Sequence, residues 1–193
     1  MDRGRGAGDR IGPPPRPFHV AAERLSSAGE RLWGDGVPVV ASRDHGLAAL
    51  FPAPEGGAFV AVWDYANGGD LAFQRLAADG RSLWDAEGVP VVEPGSIGEF
   101  ETENIVFGSF DDGVLRLAWD HDSAGPPYRS DVRFSAFDAA GNRLVPGGGV
   151  KLTRPMLRDD YLIRDFAYDP ATDTSFVLWS NGAVAAAVLY SSR

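Results

Sequence analysis

Asp64, Asp120, His121 and Asp122 are the side chains best suited to chemistry, because they bring carboxylates and an imidazole to the ends of two tryptophan-bearing segments, FVAVWD and VLRLAWD. Clustered carboxylate oxygens are the donor set that calcium prefers. The D-H-D run lacks the spacing of an EF-hand loop, and no second histidine stands at zinc spacing. The metal is therefore unknown, no cofactor is required, and calcium is the one cation the pattern would suit. An aspartate just after a strand also starts an Asx-turn, which explains the same residues without a ligand. Asp44 with His45, Tyr128 with Arg129, and Arg158 with Asp160 extend this charged set as ligand-binding candidates. Two carboxyl groups a few ångströms apart could act as acid and base on a glycosidic bond. Asp44–His45 and Asp120–His121 are adjacent in sequence, however, and strand neighbours point to opposite faces, so neither is a ready-made dyad. No G-x-S-x-G motif occurs, and the glycines at 34–37 and 147–149 precede no P-loop Lys-Ser/Thr, so they read as turn or bulge glycines.

The elements that would position these residues recur. Residues 24–40 (RLSSAGERLWGDGVPVV), 75–92 (RLAADGRSLWDAEGVPVV) and 136–152 (AFDAAGNRLVPGGGVKL) align, with Leu25, Leu76 and Phe137 in register at spacings of 51 and 61 residues. A period near 50 with strand-like content indicates units that bury their apolar faces only against neighbours. Four strand types cycle. The first covers 47–52, 103–110 and 162–168. The second, ending in tryptophan, covers 59–64, 114–120 and 176–180. The third covers 20–25, 71–76, 132–137 and 184–189, where Arg24, Arg75 and Arg133 predict a more polar, outer face. The fourth follows glycine turns suited to hairpins and carries Pro38 and Pro90, which mark a sheet edge. Trp33, Trp63, Trp84, Trp119 and Trp179 then occupy two equivalent repeat positions, where large rings fill the space between sheets.

Composition bounds the rest. The chain has 193 residues, 44% of them hydrophobic, with 24 glycines and 14 prolines, as many short strands and tight turns require. A formal charge of -9 argues against nucleic acid as a partner, since phosphate binding needs a basic face. There is no cysteine, and hence no disulfide or thiolate chemistry. Residues 1–17 are expected to be a disordered Gly/Arg/Pro-rich leader, without the apolar stretch of a signal peptide, and no segment has the length and hydropathy of a membrane span. The repeat domain is expected over 18–193, in units of about 18–42, 43–93, 94–153 and 154–193.

One unit is similar to a bacterial secreted or surface β-propeller-type repeat family, whose units look like G-G-A-x-V-x-W-x-D, D-I-Y-x-Q-R-L-D, G-x-x-L-W and G-V-x-V. The matching residues are Gly56, Gly57, Ala58, Val60, Val62, Trp63, Asp64, Asp70, Leu71, Gln74, Arg75, Leu76, Gly80, Leu83, Trp84, Gly88, Val89 and Val91, and the likeness weakens toward both ends of 18–190. The resemblance implies an extracellular or surface location and no particular enzymatic activity. It predicts an all-β fold, a partial β-propeller of about three four-stranded antiparallel blades plus flanking strands, with open blade edges able to self-associate. The expected function is a non-catalytic module that binds a protein or glycan through its loop face. A glycan-active hydrolase or lyase using acidic loop residues and a purely structural spacer are the alternatives.

Overall fold

A computed structural model of the chain describes residues 20–41, 45–64, 70–92, 106–122, 129–153, 156–157, 162–180 and 185–191. These residues form an all-β fold of four antiparallel sheets, with no α-helix among them. The first sheet pairs β1 (Ala21–Ala22) with β2 (Val37–Pro38). The second runs in chain order through β3 (His45–Pro52), β4 (Ala58–Asp64), β5 (Asp70–Leu76) and β6 (Val89–Pro90). The third contains β7 (Val106–Asp111), β8 (Val114–Asp122), β9 (Arg129–Asp138) and β10 (Val150–Lys151), and β11 (Met156–Leu157) adds a second partner to β9. The fourth is β12 (Leu162–Asp169), β13 (Thr174–Ser180) and β14 (Ala185–Ser191). Successive strand types thus pair side by side within one sheet, and each recurrence of the series forms another sheet, while β11 is a strand that the repeat did not predict. The expected leader at 1–17 lies outside the described residues.

The aligned phrase has one geometry in three copies. Backbone N–H groups of Gly29, Gly80 and Gly141 donate to the carbonyls of Ser26, Ala77 and Asp138, closing the same turn each time. Leu32, Leu83 and Leu144 then donate to Arg24, Arg75 and Ala136, all at 2.8 Å. The fourth strand type is only two residues long because it bends away once it has paired, as in Ala72 with Pro90.

The sheets stack face to face in chain order. On β4, Ala58, Val60 and Val62 pack with Ala22 of the first sheet and with Val39 and Val40 just after it, while Phe59, Ala61 and Trp63 pack with Leu115, Leu117 and Trp119 of the third. On β8, Ala118 joins Ile163, Val177 and Trp179 of the fourth sheet. Apolar residues on both faces of a strand are what a sheet sandwiched between two others requires. The first strands lie together, with β7 against both β3 and β12.

The equivalence expected of the tryptophans fails. Trp63 faces the third sheet, but Trp119 faces back toward the second, and both belong to the same core. The register explains this. Phe59 lies opposite Arg75, whereas the residue opposite Ala136, the repeat partner of Arg75, is Arg116 rather than Leu115. A one-residue slip of β8 along β9 exchanges the faces of every side chain on the strand. Trp33 and Trp84 are only half-buried. Arg75 and Arg133, expected to give the third strand type a more polar face, make partly buried contacts.

Candidate functional site

Beyond Val106, where β7 begins opposite Trp119, β8 and β9 continue as a pair and carry Asp120, His121 and Asp131, all buried. His121 lies opposite Asp131, and Trp119 opposite Arg133. Arg133 Nε donates to Asp131 Oδ1 at 2.7 Å and its Nη1 to the Gly148 carbonyl at 3.2 Å. Lys151 Nζ stands 3.5 Å from Asp131 Oδ2, with about half of its side chain exposed. Thr153 Oγ1 accepts the Val132 N–H, pinning the next residue of β9.

Burial first, then the positive charges of Arg133 and Lys151, together hold the His121 pKa down at about 4, against the opposing pull of Asp131. The imidazole is therefore neutral at physiological pH. Its Nδ1 is buried and has no hydrogen-bond partner. The arrangement offers a neutral ring and fixed cations around one carboxylate, the equipment for binding polar groups.

The other predicted residues are distributed more widely. Asp64 ends β4 opposite both His45 and Asp70, so these three lie in one row across the second sheet. By strand alternation Asp64 shares the Val62 face, toward the first sheet, whereas Asp120 shares the Ala118 face, toward the fourth. Of the four residues weighed as a metal or glycan site, Asp64 and Asp120 therefore lie on strand faces turned toward different sheets. No group of three His, Asp or Glu side chains among the described residues could hold a metal ion. Asp122 and Arg129 extend the β8–β9 end, with Asp122 opposite Ser130. Asp44, Tyr128, Arg158 and Asp160 lie outside the described residues.

A second polar group lies at the opposite, hairpin end, between the third and fourth sheets. Arg116 Nη2 donates to Asp173 Oδ1 at 3.0 Å, and the Tyr168 hydroxyl donates to the same oxygen at 2.9 Å. Desolvation and that carboxylate raise the Tyr168 pKa. Arg116 and Asp173 line a cavity of about 200 Å³ with Ser175, Phe134, Ala136 and Val145. Sequence reading missed these residues. The available signal was the third repeat's departure from its own pattern, with Ala136 and Val145 standing where the second has Arg75 and Trp84.

No protein-family model matches the sequence, and no curated protein matches it. Among solved structures, the chain is similar to a polysaccharide lyase, an ulvan lyase bound to a saccharide, at 12% identity and a TM-score of 0.42. The match covers 79% of this chain and 45% of the lyase, so the chain spans less than half the length of that protein.

Proposed function

We propose that the protein is a non-catalytic β-repeat module that takes a glycan through the loop end of its third sheet. The observation that supports this reading most is the His121–Asp131–Arg133–Lys151 cluster, in which strand pairing and ion pairs hold donors and acceptors in place beside an exposed ammonium. Sugar hydroxyls require such fixed polar groups, and prior fixing lowers the ordering cost of binding. A hydrolase would need a carboxyl group kept protonated near neutral pH. Among the described residues, the carboxyl groups with altered acidity, Glu23 and Asp138, are both shifted downward. The four sheets are, on this reading, successive blades about an axis lined by β3, β7 and β12, supported by their chain-order pairing and the adjacency of their first strands.

A glycan array followed by titration of the best binder tests the proposal. Lys151→Ala should weaken binding at least about tenfold, equivalent to roughly 1.4 kcal/mol, with the fold intact by circular dichroism. Absence of any glycan ligand, or turnover of the bound one, would overturn it. An experimental structure in which the first strands share no axis would overturn the blade arrangement.

A further inference from the structure

Two of the three aligned turns carry a clamp onto the next sheet. Trp33 Nε1 and Arg24 Nη1 both donate to the carbonyl of Ala78, at 2.9 and 3.0 Å. Trp84 Nε1 and Arg75 Nη1 both donate to the carbonyl of Ala139, at 3.4 and 2.7 Å. In the third copy the same positions hold Val145 and Ala136. The equivalence is structural as well as sequential, because Leu144 donates to the Ala136 carbonyl as Leu83 does to Arg75 and Leu32 to Arg24.

The two lost groups are not treated alike. A guanidinium is supplied again from the neighbouring strand. Arg116 sits opposite Ala136 as Phe59 sits opposite Arg75, and it places its Cζ 3.7 Å from the centre of the Tyr168 ring on the fourth sheet. Arg75 likewise lies over Phe110 of its next sheet, at 6.0 Å. Among the described residues, Phe166 of the fourth sheet packs against the cluster of Phe134, Ala136 and Val145, but no side chain lining the cavity supplies an indole. Trp84 packs 5.7 Å from Phe59. Where its counterpart would lie, Val145 and Ala136 line the cavity of about 200 Å³, whose walls are Val114, Phe134 and Leu144 with Arg116, Asp173 and Ser175 on the polar side.

We propose that this cavity is a binding site for a free, neutral, indole-like molecule, a planar bicyclic aromatic with one ring N–H. Its volume of about 200 Å³ exceeds the roughly 150 Å³ of an apolar cavity known to accept benzene, which is space on the scale of a bicyclic ring. The aromatic and aliphatic walls take the ring faces, and the Asp173 carboxylate at the wall is an acceptor for the N–H. Arg116 already pairs with Asp173, which disfavours a charged ligand.

The test is titration of the full chain with a fluoroindole followed by fluorine NMR. Saturable one-site binding is expected, with a dissociation constant on the order of 0.1–1 mM. Val145→Trp should restore the missing ring, weaken binding at least about tenfold and raise the unfolding midpoint. Should that variant fail to fold, Val145→Phe fills part of the same space and should also weaken binding. Absence of saturable binding, or unchanged affinity in the folded variant, would overturn the proposal. Tighter binding of N-acetyltryptophanamide than of indole would also overturn it, by assigning the cavity to a side chain from another protein.

Discussion

Arg75 donates from the second sheet to the carbonyl of Ala139 in the third, 64 positions later in the chain, at 2.7 Å. The same carbonyl accepts from Trp84, and the Arg75 guanidinium lies over both Phe59 and Phe110. One main-chain oxygen thus ties two units together, beside the buried Phe59 ring and the half-buried Trp84 and Phe110 rings, where hydrogen bonding and apolar packing reinforce each other.

Trp84→Ala should therefore cost about 3 kcal/mol, the range for removing a packed aromatic. Arg24→Ala, which loses a more exposed copy of the clamp, should cost about 1 kcal/mol. Urea unfolding of the two variants measures the difference, and equal losses would contradict the larger packing contribution assigned to Trp84.

The pH response should centre on His121. Its folded pKa of about 4 lies below the ordinary 6.5, so the fold favours the neutral ring. That stabilisation is complete above pH 6.5 and is withdrawn as the pH falls toward 4. At most it amounts to about 3 kcal/mol. Urea midpoints at several pH values should fall over this window in the parent and flatten in His121→Phe.

Asp131→Ala should destabilise by on the order of 3 kcal/mol, since it leaves the nearly buried Arg133 guanidinium without its carboxylate. Asp131→Asn keeps an acceptor and should lose less. Both should lower the His121 pKa further by removing the charge that raises it, which NMR titration of the imidazole reads directly.

Gly88→Ala and Gly29→Ala separate conformational strain from steric conflict. Both glycines have positive φ, 77° and 82°. A Cβ at Gly88 would stand 2.4 Å from the Phe73 carbonyl oxygen, whereas one at Gly29 meets nothing within 4 Å. Gly29→Ala should cost about 1 kcal/mol and Gly88→Ala clearly more, by thermal or urea unfolding.

Much of the architecture was already present in local pattern. Alternating apolar residues in FVAVWD and the glycine turns at Gly29, Gly80 and Gly141 dictate short antiparallel strands, and their recurrence dictates separate sheets. These signals survive in one dimension because side-chain alternation and turn conformation depend on near neighbours. Asp120 and His121 were also legible as candidates, and their separation onto two faces follows from the same alternation.

The register of β8 was not legible. LRLAWD at 115–120 aligns with FVAVWD residue for residue, yet pairing with β9 is offset by one, which turns Trp119 back toward Trp63 and places Arg116 opposite Ala136. Register is selected by packing on both sides of the strand together, and no single segment contains both neighbours. The sequence by itself determined the strands, the turns and the repetition. Only the tertiary structure decided which faces met, which charges were paired around Asp131, and where a missing indole became a cavity, because those depend on contacts between residues far apart in the chain.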